Sequence, residues 1–136
     1  MGCIRDLETN LYSREFFDEE LERLSKKRDA NIGTIVIEIE SDNPQVILKT
    51  AEILQNLVRA YDIVGRVNPN EFGIILENVT EDNIIEITKR IASDLKNAFA
   101  SNATPPKVNI AWNISKSFFG DLKQAYEELR KRRENS

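Results

Sequence analysis

The sequence predicts an α+β domain in which helices pack on an antiparallel sheet. Helical and strand-like hydrophobic patterns alternate along the chain without an internal repeat. One pair of adjacent strand patterns is joined by a short turn that contains proline, which is typical of a β-hairpin. The chain has 136 residues, which is enough for one domain. We therefore expect a single α+β domain over residues 1–136.

The first half of the chain contains two helical patterns around one strand pattern. Ser13 is a suitable N-cap, and the apolar spacing that follows it predicts a helix over residues 13–27. Alternating β-branched residues predict a strand over residues 34–40, with isoleucines on one face and glutamates on the other. An Asn-Pro pair then breaks the strand, and helical spacing resumes over residues 45–60.

The second half of the chain begins with the hairpin. The predicted elements are a strand over 63–67, a strand over 71–76, a helix from Thr80, a strand over 107–115 and a helix over 119–133. The full order is helix, strand, helix, strand, strand, helix, strand, helix. This order contains a βαββαβ core of the ferredoxin-like type, with further helices packed on the sheet.

The composition excludes several classes of function. There is no histidine, so the usual general base and the commonest transition-metal ligand are absent. Cys3 is the only cysteine, which excludes an internal disulfide framework. The net charge of −4 disfavours a general nucleic-acid surface, and no apolar stretch is long enough for a membrane span. We expect a cytoplasmic protein without nucleic-acid partners.

Three segments together resemble the GGDEF domains, which are the diguanylate cyclases. The hairpin segment over residues 62–76 follows the family pattern D-x-x-x-R-x-G-G-D/E-E-F and its apolar strand, except in the turn. Residues 6–14 are similar to the opening motif D-x-L-T-G-L-x-N-R, and residues 122–129 are similar to the last helix of the family. The resemblance extends over about residues 6–133. It implies the nucleotidyl-cyclase-like sheet of that family.

The signature turn departs from the family at the positions that serve catalysis. Cyclases of this family condense two GTP molecules with the help of two Mg²⁺ ions, which need carboxylate ligands. Glu38 is a candidate for the first carboxylate, but Asn70 is neutral where the family has the second. The two phosphate-approaching glycines are replaced by Asn68 and by Pro69, which has no N–H to donate. The degenerate turn consists of Asn68, Pro69, Asn70, Glu71 and Phe72.

Other parts of the family's substrate site are also missing. The segment between the strand 34–40 and the helix 45–60 is shorter than in the family, so the residues that read guanine have no counterparts. Of the basic residues that hold phosphate, only Arg133 is represented. The resemblance therefore implies a domain that is not an enzyme and has no metal or cofactor. Glu38 and Glu40 also fit an ordinary solvated strand face.

The inhibitory site of the family, by contrast, is kept. Arg59 and Asp62 form the R-x-x-D motif at the family's spacing from the turn, and Arg90 occupies the position of the family's second arginine. A guanidinium can bind the N7 and O6 acceptors of guanine or a phosphate, and a carboxylate can accept from the N1 and N2 donors. The alternative is a helix C-terminus capped by Arg59, with Asp62 as its surface partner.

The resemblance thus implies a catalytically inactive bacterial GGDEF signalling domain that binds cyclic di-GMP through Arg59, Asp62 and Arg90. The alternative is a nucleotide-independent module for homodimerisation or for contact with a neighbouring domain of a larger signalling protein. Phe118 and Phe119, which have no assigned core position, either take part in such contacts or seal the base of the last helix.

Overall fold

The elements occur in the predicted order. The computed structural model describes residues 4–27, 30–59, 62–116 and 122–134, so Phe118 and Phe119 lie outside the described residues. The elements are α1 (Arg14–Leu24), β1 (Asn31–Glu40), α2 (Pro44–Leu57), β2 (Ile63–Asn68), β3 (Glu71–Glu77), α3 (Glu81–Phe99), β4 (Lys107–Lys116) and α4 (Leu122–Glu134). Within the described ranges, none of the helices has the length and apolar character that crossing a membrane requires.

The strands form one four-stranded antiparallel sheet in the order β2-β3-β1-β4. This order, with α2 and α3 as crossovers, confirms the predicted ferredoxin-like core. The central strand β1 is buried on both faces. Ile35, Ile37 and Ile39 pack with residues of α2 and α3, whereas Ile32 and Val36 pack with residues of α1 and α4. The molecule therefore has three layers, with the sheet in the middle.

Several predicted element ends are wrong. Helix α1 ends at Leu24 instead of residue 27, where the Ser25 hydroxyl donates to the Glu22 carbonyl (2.7 Å). Helix α2 ends at Leu57 instead of residue 60, because Val58 is already extended. Strand β1 begins at Asn31 instead of residue 34, since its first residues pair with the end of β4. Of these three ends, only the start of β1 depends on a distant element, and sequence patterns place the ends of an element less reliably than the element itself.

Helices α1 and α4 approach the sheet most closely above Gly73. Phe17 of α1 and Tyr126 of α4 are both buried and meet edge to face, with ring centroids 5.0 Å apart. A Cβ atom at Gly73 would lie 2.5 Å from the Tyr126 hydroxyl oxygen and 2.6 Å from Phe17 Cζ. The missing side chain at this position therefore allows the two aromatic rings to pack against β3.

The segment before α1 is fastened to the outer edge of β2. Asp6 accepts from the Thr9 backbone N–H (2.8 Å), from the Thr9 hydroxyl (2.7 Å) and from Arg66 Nη1 (3.3 Å). Arg66 also contacts Glu8 (2.7 Å), and Tyr12 forms a parallel bridge with Gly65. Burial alone raises the pKa of Asp6, but the bonds from Thr9 and Arg66 outweigh it and hold that pKa below its ordinary value.

We expect Gly73→Ala to lower the free energy of unfolding by about 1–3 kcal/mol, because the added methyl group overpacks the Phe17–Tyr126 contact. The measurement is urea denaturation. Tyr126→Phe removes the nearest clashing atom, and its hydroxyl has no hydrogen-bond partner among the described residues. The double variant should therefore recover part of the loss. Unchanged stability of Gly73→Ala would contradict this packing.

We expect Asp6→Asn to lower the free energy of unfolding at neutral pH by about 1–3 kcal/mol, because it removes charge-assisted hydrogen bonds. Because the pKa of Asp6 is lowered in the folded state, its ionised carboxylate stabilises the fold at pH values above the ordinary pKa of 3.8. This stabilisation is lost as pH falls through the folded pKa, so wild type and variant should converge in acid. The matched control is Glu8→Gln, whose carboxylate is more exposed and should matter less. A difference that persists in acid would contradict the assignment.

Candidate functional site

Backbone carbonyl groups of the signature turn accept hydrogen bonds from other residues of the domain. The Arg66 guanidinium donates to the Pro69 carbonyl through Nε (3.0 Å) and Nη2. The Asn70 carbonyl accepts from the Ile39 N–H (2.9 Å), which ties the turn to the end of β1. A register shift between Arg66 and Asn68 marks a bulge where the hairpin turns. The carbonyl groups of Pro69 and Asn70 are therefore already used in hydrogen bonds within the domain.

Glu71, the acidic residue that the turn retains, is buried. It is 2% exposed and lies directly opposite Glu38 in the pairing of β1 with β3. Arg130 of α4 approaches it, with Nε 2.6 Å from Glu71 Oε2, and its Nη1 contacts Glu127 (3.0 Å). Burial alone lowers the pKa of Arg130, but Glu71 and Glu127 outweigh it and raise that pKa above its ordinary value. Arg130 therefore carries its charge at physiological pH.

The donor set at the turn does not suit the Mg²⁺ ions that active cyclases need, in the family that the sequence resembles. Glu38 is half-buried, and its Oε1 accepts from Asn109 Nδ2 (3.0 Å). Glu71 faces a guanidinium, and Asn70 has no charge. No cluster of three or more acidic, histidine or cysteine side chains with metal-binding geometry occurs among the described residues. A hard divalent cation requires several oxygen ligands, and these residues do not provide them.

The connection between β1 and α2 is short. Strand β1 ends at Glu40, and α2 begins at Pro44. The three residues between them end in Asn43, which caps α2 by accepting from the Gln45 N–H (3.0 Å). That the guanine-reading segment of the family has no counterpart here stays a prediction. Glu40 is exposed, as a solvated strand face requires, and the side chain of Arg133 lies outside the described part of the chain.

Arg59 and Asp62 form a closed pair between α2 and β2. Arg59 donates from Nε (3.1 Å) and from its backbone N–H (2.9 Å) to Asp62 Oδ2, and from Nη2 (3.2 Å) to Oδ1. The side chain of Asp62 is 1% exposed, while that of Arg59 is 47% exposed. Asp62 therefore orients Arg59, whose guanidinium reaches solvent. The R-x-x-D spacing predicted that Arg59 and Asp62 are close but did not predict the burial of the carboxylate.

Arg90 lies on α3, on the same face of the sheet. The Arg59–Asp62 pair lines a pocket of about 310 Å³ together with Leu57 and Glu86. Arg90 lines two adjoining grooves, one of which includes Leu57 and the other Glu86. The structure therefore brings Arg59 and Asp62 into direct contact and places Arg90 beside their pocket, in the next groove along α3.

The R-x-x-D pocket and the signature turn lie at opposite ends of β1. The pocket includes Asn78, whose N–H donates to the Asn31 carbonyl (2.7 Å) at the start of β1. The turn is bonded to Ile39, next to the end of the same strand. A molecule bound in the pocket would therefore not occupy the turn.

The sequence patterns did not single out Arg130. It is the first of four consecutive basic residues, 130–133, and the structure turns this arginine towards the sheet. A pattern that could have found it is helical spacing. Leu122, Tyr126 and Leu129 form the buried face of α4, and Arg130 lies one turn after Tyr126 on that face. A charged residue on a buried face requires a partner.

Solved structures of GGDEF domains share this fold. The GGDEF domain of DgcB from Caulobacter crescentus in complex with c-di-GMP is 17% identical, with a TM-score of 0.79 over 99% of this chain and 88% of that one. The FimX GGDEF domain from Pseudomonas aeruginosa is 10% identical, with a TM-score of 0.83 over 98% and 93%. Diguanylate cyclase SiaD from the same organism, in complex with its activator SiaC, is 15% identical, with a TM-score of 0.83 over 97% and 57%.

A relative from Bacillus subtilis (strain 168), the uncharacterized protein YtrP, is 26% identical over an alignment of 132 residues, and the match covers 89% of this chain. The match covers 22% of YtrP, so this chain spans about a fifth of that relative's length. The family model for the GGDEF domain of diguanylate cyclases matches residues 41–134, which is more than half of the chain. The chain therefore belongs to the GGDEF family of signalling domains.

Proposed function

We propose that this GGDEF domain is a catalytically inactive receptor for cyclic di-GMP, which binds at Arg59, Asp62 and Arg90. The observation that carries this proposal is the arrangement at the R-x-x-D motif. A half-exposed guanidinium is held in place at the edge of a pocket, and a second arginine lies in the adjoining groove. The DgcB domain, which has the same fold, was crystallised in complex with c-di-GMP.

The chemistry of the ligand matches the charges around the pocket. Cyclic di-GMP has two phosphates and two guanine bases, and arginine can bind either group with its forked N–H donors. The bonds to Asp62 use two of the five N–H groups of the Arg59 guanidinium. Asp62 therefore acts as the residue that positions Arg59. Asp62 can accept directly from guanine only if its bonds with the Arg59 guanidinium break.

Several features support the proposed lack of turnover. Asn70 is neutral, Glu71 faces Arg130, and the short β1–α2 connection has no room for the guanine-reading segment of the family. Each feature affects a different part of the substrate site. Restoring one of them should therefore not restore the reaction.

A second candidate function is a nucleotide-independent interaction module. The closed Arg59–Asp62 pair favours it, because the carboxylate is already satisfied without a ligand. The SiaD structure shows a family member in complex with a protein activator. The two candidates differ in whether cyclic di-GMP binds to the purified domain.

We expect Arg59→Ala to weaken cyclic di-GMP binding by roughly 10- to 150-fold, because charge-assisted hydrogen bonds are lost. Arg90→Ala should also weaken it, and Asp62→Asn should weaken it by releasing Arg59. The measurement is isothermal titration calorimetry. The matched controls are Arg23→Ala, an exposed arginine of α1, and Glu38→Gln, and both should bind as wild type does. Equal affinities for wild type and Arg59→Ala, or no binding to either, would favour the interaction module.

We expect wild-type protein to form no cyclic di-GMP from GTP and Mg²⁺. Asn70→Asp should not restore turnover, because it leaves Arg130 on Glu71 and the short β1–α2 connection unchanged. The reaction mixture is analysed by chromatography, with a known cyclase as the positive control. Product formed by the wild-type domain would contradict the proposed inactivity and would leave the binding proposal to be judged by calorimetry.

A further inference from the structure

Two carboxylates face each other beneath α4. Glu38 of β1 and Glu71 of β3 are direct partners in the antiparallel pairing, so their side chains lie on the same face of the sheet. Like charges in directly opposite positions destabilise a sheet. Glu71 is also almost completely buried, which makes an uncompensated charge costly. The fold therefore needs a positive charge at this point.

Arg130 supplies that charge. Its Nε lies 2.6 Å from Glu71 Oε2, and its side chain is 17% exposed. The contact is an ion pair in which the guanidinium and the carboxylate touch directly. The Asn68 amide can be oriented so that its NH₂ group donates to the Val67 carbonyl (3.1 Å). In this orientation its oxygen accepts from Arg130 Nη2, which adds a hydrogen bond beside the ion pair.

Further ion pairs connect the Arg130–Glu71 pair to both helices on this face of the sheet, α1 and α4. Arg130 Nη1 contacts Glu127 (3.0 Å), and Glu127 in turn accepts from Arg14 Nη2 of α1 (3.0 Å). Arg14 also donates from Nη1 to the Val67 carbonyl in the hairpin (3.2 Å). The hairpin, α4 and α1 are thus connected through the residues around Arg130.

We propose that Arg130 is a built-in cation at Glu71, which locks the signature hairpin to α4 and excludes divalent ions such as Mg²⁺ from this carboxylate. A Mg²⁺ ion needs oxygen ligands at about 2.0–2.1 Å in octahedral geometry. The Arg130 guanidinium is in contact with Glu71 Oε2, so an ion bound to this oxygen would have to displace it. Asn68, where the family has glycine, fills the adjacent space. This inference is independent of cyclic di-GMP binding at the other end of the sheet.

The first test is a double-mutant cycle followed by thermal unfolding. Arg130→Met should lower the Tm by roughly 10–20 °C, because it removes a charged partner from a buried carboxylate. Glu71→Gln in the same chain should recover a large part of this loss. The matched control is Lys131→Met, an exposed basic residue next to Arg130, which should shift the Tm by much less. Equal effects of Arg130→Met and Lys131→Met, or additive effects of Arg130→Met and Glu71→Gln, would overturn the proposal.

The second test uses millimolar Mn²⁺ as the probe. Mn²⁺ should leave the Tm of wild type and of Lys131→Met unchanged and should raise that of Arg130→Met, where Glu38 and Glu71 face each other without the guanidinium. If Arg130→Met does not fold, Arg130→Gln, which keeps a polar group at this position, takes its place. A Mn²⁺-induced rise in wild type that Glu71→Gln abolishes, or no rise in the Arg130 variant, would overturn the proposal.

Discussion

The buried charge of Glu71 is the constraint on which the hairpin side of the molecule depends. The carboxylate lies between a neighbouring strand that carries another glutamate and a helix that covers it. Arg130 neutralises it and thereby fixes the position of α4 on the sheet. Tyr126, one turn earlier on the same helix face, then packs with Phe17 above Gly73. The polar contact and the aromatic contact therefore support the same placement of α4 and α1.

The signature hairpin has a structural role in the fold. Its carbonyls accept from Arg66 and from the Ile39 N–H, and its remaining glutamate pairs with α4. Arg66 also fastens the segment before α1 through Asp6 and Glu8. The opposite end of β1 carries the R-x-x-D pocket, where a guanidinium remains half exposed. In our proposal the domain retains ligand binding at this second end, while the first end is structural.

Much of the fold follows from local patterns, because strand alternation and helical spacing record which side chains are buried. The isoleucines of β1 and the apolar face of α3 were predictable for this reason. The end of α2 was not, because it depends on how the buried Asp62 carboxylate captures the Arg59 N–H across a turn. The start of β1 at Asn31 was missed because Gly33 interrupts the pattern, although a side chain there would collide with Val79.

The candidate site likewise contains residues whose contacts the sequence predicted and residues whose contacts it did not predict. Family spacing placed Arg59 and Asp62 together, since they are close in sequence and flank one turn. The partner of Glu71 lies on another element far along the chain, and four consecutive basic residues offer no local reason to choose Arg130. Only the geometry of α4 above the sheet selects it. Ion pairs between distant elements are a tertiary property, which spacing along the sequence does not record.

The central claim is that ligand binding has been kept at one end of β1 while the signature end is structural. Backbone amide chemical shifts of isotopically labelled protein, recorded during titration with cyclic di-GMP in the presence of Mg²⁺, test it most directly. The account predicts that the shifts concentrate around Arg59, Asp62 and Arg90 and that Asn70 and Glu71 change little. Shifts concentrated at Asn70 and Glu71, or no shifts anywhere in the domain, would contradict it.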